Sequence, residues 1–155
     1  MTEPIRKVRV LHCPPAHAFR VFTEHVDVWW PPGHRRMPGS RIVLEGVGPG
    51  AELWEIGPDQ RLPIGRVFAW SPPDRLELAW FLGAPAGLHT VVDVCFVGHD
   101  RGTEVRLEHR DGPRPLPNFG RTAVRFHKGW DHLLDALQVH VLDRPHDSTQ
   151  PVGVP

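Results

Sequence analysis

The 155-residue chain contains no tyrosine and only two cysteines, Cys13 and Cys95. Without tyrosine, a site in this protein has no phenol to act as an acid, a base or a hydrogen-bond donor. Two isolated cysteines form neither a disulfide framework nor a metal-binding motif. Lys and Arg together number 18, and Asp and Glu together also number 18. The chain therefore lacks the basic excess typical of a nucleic-acid-binding protein and the charged tail of a membrane-binding one.

Long apolar runs are also missing, and none approaches the length needed to span a bilayer. The first residues, Met1 to Pro4, lead into a strand pattern and lack the apolar core of a signal peptide. We therefore expect a protein of the reducing cytoplasm that contacts neither membrane nor nucleic acid.

Common catalytic and cofactor motifs are absent as well. The three serines, Ser40, Ser71 and Ser148, do not lie in a nucleophile elbow. The glycine-rich run 46–50 leads into a strand pattern, so no helix N-terminus follows it to hold a phosphate. No His-Glu-x-x-His spacing occurs, and His132 and His140 lie two helical turns apart. We therefore assign no catalytic residue, no metal ligand and no cofactor.

What the chain does contain is one long amphipathic segment, from about Arg121 to Leu142. Its apolar residues recur at helical spacing. No other segment predicts a helix of this length. The apolar positions are Phe126, Trp130, Leu133, Leu134, Leu137 and Val141.

Before this helix, short alternating segments are separated by Gly- and Pro-rich turns about every ten residues, which is typical of an antiparallel meander. Two short helices, Ala16 to Phe22 and one capped by Asp27 that runs through Trp30, interrupt the series. The predicted order is β-α-α, six strands and a final helix, in one domain of residues 1–142 followed by a flexible tail, 143–155. The predicted strands are 5–11, 41–47, 51–56, 62–70, 75–82, 89–97 and 102–110.

Strand alternation indicates which side chains face the interior, because successive residues point to opposite faces. Most of the opposite positions are polar, as expected for a sheet covered on one side only. One sheet and one long helix must then cover each other's apolar surfaces, which predicts a two-layer α+β fold. The inward sets are Leu76, Leu78 and Trp80, then Val92, Val94 and Phe96, then Val105, Leu107 and His109.

Five segments, taken in order, resemble one known family. The run 65–76, GRVFAWSPPDRL, resembles the strand-Pro-Pro-x-Arg-Leu-strand segment of the activator of Hsp90 ATPase homologue 1-like (AHSA1-like) proteins, members of the START-like, or SRPBCC, superfamily. The other four segments are PPAHAFRVF at 14–22, WWP at 29–31, GTEVRLEHR at 102–110 and GWDHLL at 129–134.

This resemblance covers roughly residues 5–142 and implies a helix-grip (START-like, Bet v 1-like) fold. In that fold a curved antiparallel sheet of about seven strands wraps around the C-terminal helix and leaves a cavity between them. Members bind varied hydrophobic ligands, and one branch assists the chaperone Hsp90. From the sequence we expect no second domain, and the Pro-rich loop 111–118 departs from the family's pattern.

The candidate ligand-binding residues are those expected to converge between the sheet and the helix. Each apolar one has an alternative reading as plain core, and His109 as a core histidine with satisfied hydrogen bonds. Of the adjacent tryptophans Trp29 and Trp30, we assign one to the core and Trp30 to the pocket. The set is Trp30, Trp80, Phe96, Leu107, His109, Phe126 and Trp130.

Three functions are compatible with the predicted fold. The first is binding of a small hydrophobic molecule, with Phe126 and Trp130 holding the helix off the sheet. The second is an enzyme (a cyclase, dehydratase or hydrolase) acting on an aromatic or polyketide-like substrate, by fold-level analogy. It needs Glu55, with a pKa raised by burial, beside His109 as an acid–base pair. The default interpretation of Glu55 is a solvated glutamate on a strand. The third, chaperone assistance, needs a large exposed apolar patch.

Overall fold

The computed structural model describes residues 3–142, which form one antiparallel sheet and three helices. All seven predicted strands and the predicted order of elements are present. The strands are β1 Ile5–Leu11, β2 Arg41–Glu45, β3 Glu52–Ile56, β4 Arg61–Ser71, β5 Arg75–Trp80, β6 Thr90–His99 and β7 Gly102–Arg110. The helices are α1 Pro15–Glu24, α2 Val26–Trp29 and α3 Phe119–His140, and a single 3-10 turn spans Pro32–His34. The predicted tail lies outside the described residues.

The sheet has the strand order β1-β7-β6-β5-β4-β3-β2, so each neighbouring pair except β1-β7 is also consecutive in the chain. This is the meander that the regularly spaced turns predict. The register shifts between Leu53 and Trp54 and again between Val67 and Ala69. Such bulges bend a strand and increase its twist. The result is a curved sheet that grips α3, which confirms the predicted α+β helix-grip fold.

Strand alternation identified the buried face correctly. All nine residues of the three inward sets are at most 4% exposed, from Val92, Val94 and Val105 at 0% to Trp80 at 4%. On the opposite face, charged side chains of β5, β6 and β7 form a network of ion pairs. Arg75 bonds Asp93 at 2.8 Å, and Arg110 bonds Glu77 at 2.6 Å. The polar face therefore points away from the helix layer.

The two short helices pack against the sheet, α1 against β2, β6 and β7, and α2 against β2. Helix α1 begins with Pro15, since proline is tolerated in a first turn, and it buries Ala18, Phe19 and Phe22 as predicted. Asp27 does not cap α2, and that prediction is wrong. Its carboxylate instead accepts hydrogen bonds from the Ile42 backbone at 2.8 Å and from Arg35 at 2.7 Å. Asp27 therefore joins α2 to the start of β2.

Helix α3 lies across the concave face of the sheet. It begins at Phe119, two residues before the predicted start, and ends at His140. Its buried side chains are Phe119, Ala123, Trp130, Leu133, Leu134 and Leu137. Within residues 3–142, none of the helices combines the length and apolar character that crossing a membrane requires.

Candidate functional site

His109 lies beneath α3 and is completely buried. Its Nδ1 accepts a hydrogen bond from Trp130 Nε1 at 2.9 Å, and its Nε2 lies 2.7 Å from Thr90 Oγ1. An indole nitrogen can only donate. The neutral imidazole must therefore carry its proton on Nε2 and donate it to Thr90, whose hydroxyl is oriented toward the Trp80 carbonyl at 3.5 Å.

This chain of hydrogen bonds keeps His109 neutral. A protonated imidazole would place a second N–H against the Trp130 donor. Burial lowers the pKa of His109 from its ordinary 6.5 to about 3. The aromatic rings of Phe126, Phe119 and Trp80 surround the imidazole, and the Phe126 centroid is 4.2 Å from that of His109. His109 is therefore a structural support for Trp130 and Phe126.

Three tryptophans from three elements form a continuous aromatic wall. Trp80, at the end of β5, lies between the other two. Its ring centroid is 5.1 Å from that of Trp130 on α3 and 6.2 Å from that of Trp30, which stacks on it at 27°. Trp30 is held in place because its Nε1 donates to the His34 carbonyl at 3.1 Å. The wall is thus anchored at both ends by hydrogen bonds.

A cavity of about 240 Å³ lies against this wall and opens to solvent between α3 and the segment that follows α2. Four of the seven predicted ligand-binding residues border it, namely Trp30, Trp80, Phe126 and Trp130. The other residues that line it are His34, Leu82, Arg125, Gly129 and Leu133.

The interior beyond the wall is filled by the protein's own side chains. A second, apolar space between the sheet and helices α1 and α2 measures only about 20 Å³, enough for about one water molecule. Phe96 contacts Phe19 and Phe22 of α1, with ring centroids at 5.4 and 5.7 Å. The cavity therefore borders the middle of α3, residues 125–133, and does not extend beneath the whole helix.

The predicted residues Phe96 and Leu107 do not border the 240 Å³ cavity. Both are 2% exposed and belong to the main hydrophobic core. His109 lies behind the cavity, one layer deeper than Phe126 and Trp130. Strand alternation correctly predicts that Phe96, Leu107 and His109 point inward. It does not predict which inward residues are covered by other side chains and which border a cavity.

The mouth of the cavity carries the polar groups. His34 Nε2 and His132 Nδ1 share a hydrogen bond of 2.9 Å that joins the 3-10 turn to α3. Burial, and after it the proximity of His132, lowers the pKa of His34 below its ordinary 6.5. Arg125 is exposed on α3 and also borders the cavity. At neutral pH the mouth therefore combines a neutral histidine with a permanent cation.

Glu55 is buried, at 1% exposed, so the expectation of a solvated strand glutamate is wrong, but Glu55 is not part of an acid–base pair either. Its carboxylate accepts hydrogen bonds from Ser40 Oγ at 2.8 Å, Met37 N at 2.9 Å and Arg36 Nε at 3.0 Å. Burial acts to raise the pKa of Glu55, but these three donors outweigh it and hold the pKa below its ordinary value. The predicted raised pKa is therefore wrong.

The predicted pairing of Glu55 with His109 is also wrong, because each side chain bonds entirely different partners. Glu55 instead anchors residues 36–40, which lead from the 3-10 turn to β2. Within the part of the chain that the structure describes, no three His, Cys, Asp or Glu side chains are grouped to hold a metal ion.

Several residues of the site were missed from the sequence. Thr90 could have been found, because it precedes Val92 and Phe96 on the inward face of the same strand. Gly129 is an exception within a helical pattern, and such a glycine often has a packing reason. His34, Leu82 and Arg125 carried no sequence signal, because their positions depend on how the turn after α2 folds back onto α3.

Comparison with known proteins supports this description of the fold. The chain is similar to an X-ray structure of a protein from Mesorhizobium loti, with 23% identity and a TM-score of 0.65 over 92% of this chain and 98% of that one. It is also similar to a Nitrosomonas europaea protein, with 18% identity and a TM-score of 0.66 over 90% and 94% of the two chains.

A third structure, a Staphylococcus aureus protein of unknown function, has 15% identity and a TM-score of 0.62 over 91% of this chain and 93% of that one. At these identities the likeness shows a shared fold alone. No curated protein matches the chain.

The family assignment comes from the sequence profile of the activator of Hsp90 ATPase homolog 1-like proteins, which matches residues 12–141. The match begins before α1 and continues through the end of α3, so it includes all five segments in full and all of the described chain except residues 3–11 and 142. The resemblance noted in the sequence is confirmed, and the chain belongs to the activator of Hsp90 ATPase homolog 1-like family.

Proposed function

We propose that this protein binds a small, largely apolar molecule in the cavity bordered by Trp30, Trp80 and Trp130. The observation that supports this is an open space of about 240 Å³ against a wall of three tryptophans. Ligand sites are typically concave and mostly apolar with a few placed polar groups. An engineered apolar cavity of about 150 Å³ takes up benzene, so this one suits a molecule of one or two rings.

The rigidity of the wall favours binding over catalysis. Trp130 is fixed by His109, and Trp30 is fixed by the His34 carbonyl. A preformed pocket loses little conformational entropy when it is filled, which favours affinity. The two ionisable groups predicted to form an acid–base pair, Glu55 and His109, are both committed to structural hydrogen bonds. We therefore place no reaction at this cavity.

The exposed large apolar side chains do not suggest a second function. They lie on β1, on the turn after β2, on β4 and on α2 and α3, and at the end of the described chain. Scattered apolar side chains are normal on a protein surface, and we propose no chaperone-docking face on them. They are Val8, Val28, Val47, Phe68, Val124, Val139 and Leu142.

Gly129 offers a direct test of the cavity, because it borders the cavity and has no side chain. A Cβ added there meets only His34 Cε1, at 3.9 Å, an ordinary contact. Gly129→Leu should fill the cavity and leave all three tryptophans of the wall in place. Glycine inside a helix costs about 0.5–1 kcal/mol relative to alanine, so neither Gly129→Ala nor Gly129→Leu should unfold the protein.

The measurement is calorimetric titration of wild type, Gly129→Ala and Gly129→Leu with indole and 2-naphthol, two neutral two-ring compounds. We expect binding to wild type and to Gly129→Ala, and at least a tenfold loss, about 1.4 kcal/mol, for Gly129→Leu. Equal affinity of Gly129→Leu and wild type would place the binding elsewhere. Failure of wild type to bind either compound would contradict the proposal.

A further inference from the structure

The walls of the cavity have little to offer a polar group on a ligand. Trp30 Nε1 already donates to the His34 carbonyl, and Trp130 Nε1 already donates to His109. Leu82, Phe126 and Leu133 supply only hydrocarbon. A polar group buried without a partner costs about 1–3 kcal/mol. The part of a ligand that enters the cavity should therefore be apolar, and any polar group on it should remain at the mouth.

At the mouth, the charge has one sign. Among the described residues that line the cavity, none is acidic and Arg125 is the one that is charged at neutral pH. Arg125 also has no carboxylate within ion-pair distance among residues 3–142, whereas Arg9, Arg35, Arg75 and Arg110 all do. The guanidinium beside the opening is thus free to take an anion from solution.

Arg121 provides the matched comparison on the same helix. It is exposed, it precedes Arg125 by about one turn, and it does not border the cavity. Removal of either charge changes the net charge of the protein equally. A difference between the two positions therefore reports on the cavity mouth and not on the general electrostatic field of the protein.

We propose that the ligand class is a compact aromatic monoanion whose ring system lies against Trp80 and Trp130 and whose carboxylate pairs with Arg125 at the mouth. This rests on the proposed function and specifies its ligand. Arginine presents a planar fork of N–H donors that matches a carboxylate with two parallel hydrogen bonds. The aromatic wall provides affinity for the ring, and Arg125 provides discrimination between charged and neutral ligands.

The test compares 2-naphthoate with 2-naphthamide, which has nearly the same shape and no charge. Calorimetric titration at pH 7.5 and low salt should show about tenfold tighter binding of 2-naphthoate to wild type, a difference of the size expected for a charge-assisted pair. Arg125→Gln should bring the ratio of the two affinities close to one. Arg121→Gln should preserve the ratio.

The outcomes separate this inference from the proposed function. Equal affinity for the two compounds, or an unchanged ratio in Arg125→Gln, would overturn the anion preference while leaving apolar binding intact. A ratio lost equally in Arg121→Gln would also overturn it, because the preference would then be a general charge effect. If indole and 2-naphthol bind while 2-naphthoate does not, the inference alone fails. If neither indole nor 2-naphthol binds, the proposed function fails, and the inference that rests on it fails with it.

Discussion

His109 connects the sheet to α3 through both of its ring nitrogens. Because the indole nitrogen can only donate, these hydrogen bonds all run in one direction: from Trp130 to His109, from His109 to Thr90, and from Thr90 toward the Trp80 carbonyl. Two of the tryptophans that border the cavity are therefore joined by hydrogen bonds through a neutral histidine. No charged side chain is among the described ring and hydrogen-bond contacts of His109.

Neutral His109 makes the stability of the protein depend on pH. Its pKa is about 3 in the folded protein and about 6.5 in an unfolded chain. Below pH 6.5 the unfolded state binds a proton that the folded state does not, so stability falls as the pH falls toward 3. Between pH 7 and pH 5, protonation of His109 in the unfolded state should lower the free energy of unfolding by about 2 kcal/mol.

Urea unfolding of wild type, His109→Gln and His127→Gln at pH 7, 6 and 5 measures this effect. His109→Gln should be less stable at pH 7 but should lose about 2 kcal/mol less than wild type between pH 7 and pH 5. His127 is exposed, so His127→Gln should keep the wild-type dependence. Parallel pH profiles for wild type and His109→Gln would show that His109 is not the group responsible.

Part of this network could be read from the sequence. Alternation along β7 predicts that His109 points inward, and the same reasoning applied to β6 would have included Thr90. The bond from Trp130 could not be foreseen, because it depends on the rotation and height of α3 over the sheet. Those are set by the sum of many packing contacts and not by the pattern of any one segment.

Residues 36–40 form the element that depends most on a single buried charge. This segment follows the 3-10 turn that carries His34, and it is attached to β3 by the three hydrogen bonds to Glu55. Hydrogen bonds to a charged group contribute about 1.5–3 kcal/mol. Glu55 thus fixes the segment that continues from the mouth of the cavity into β2.

We expect Glu55→Gln to destabilise the protein by about 1.5–3 kcal/mol at pH 7, since an amide cannot accept all three bonds with the strength of a carboxylate. Glu52→Gln on the same strand is the control. Glu52 is half-exposed, and its only described ion pair, with Arg66, has a distance of 4.0 Å. Glu52→Gln should therefore lower the free energy of unfolding by less than about 1 kcal/mol.

Urea unfolding at pH 7 gives both values. The carboxylate of Glu55 has a lowered pKa, so its contribution is present above its unfolded pKa and is lost as the pH falls through the folded one. The difference between Glu55→Gln and wild type should accordingly shrink in acid. A constant difference down to pH 3, or equal costs for the two variants, would argue against a charged anchor.

The elements themselves were the most predictable part of the structure. Alternating strands such as β1 and β7 were located with the observed bounds, because each has a polar face and an apolar face. The ends of α3 differ from prediction by two residues, which is ordinary fraying of helix boundaries. The prediction for Asp27 was wrong because a carboxylate near a short helix is typical of a cap, whereas this one accepts hydrogen bonds from Arg35 and the Ile42 backbone.

For the protein as a whole, the five short segments in family order predicted a topology that no single one could establish. The size and place of the cavity were not predictable, because both depend on ångström-level packing. Phe19 and Phe22 of α1 pack against Phe96 in the interior, whereas Gly129 in the middle of α3 leaves space beside Trp130. The sequence contains all three residues but not the distances between them.

The charge balance of the full chain leads to the last prediction. The formal net charge at pH 7 is zero and the isoelectric point is about 7.2. The chain contains 11 histidines, and histidine is the side chain that ordinarily gains a proton in this pH range, so the net charge should turn positive as the pH falls toward 6. Proteins associate most readily where their net charge is close to zero. Static light scattering at low salt should therefore be greatest near pH 7.2 and weaker at pH 6.

Lys128→Glu tests this at an exposed position of α3 that does not border the cavity. The change replaces one positive charge by one negative charge, so the net charge falls by two and the pH of zero net charge falls with it. The scattering maximum should move to lower pH by the same amount, and added salt should reduce the difference between pH 7.2 and pH 6 by screening. A maximum that stays at its wild-type pH would show that apolar contacts, and not net charge, govern the association.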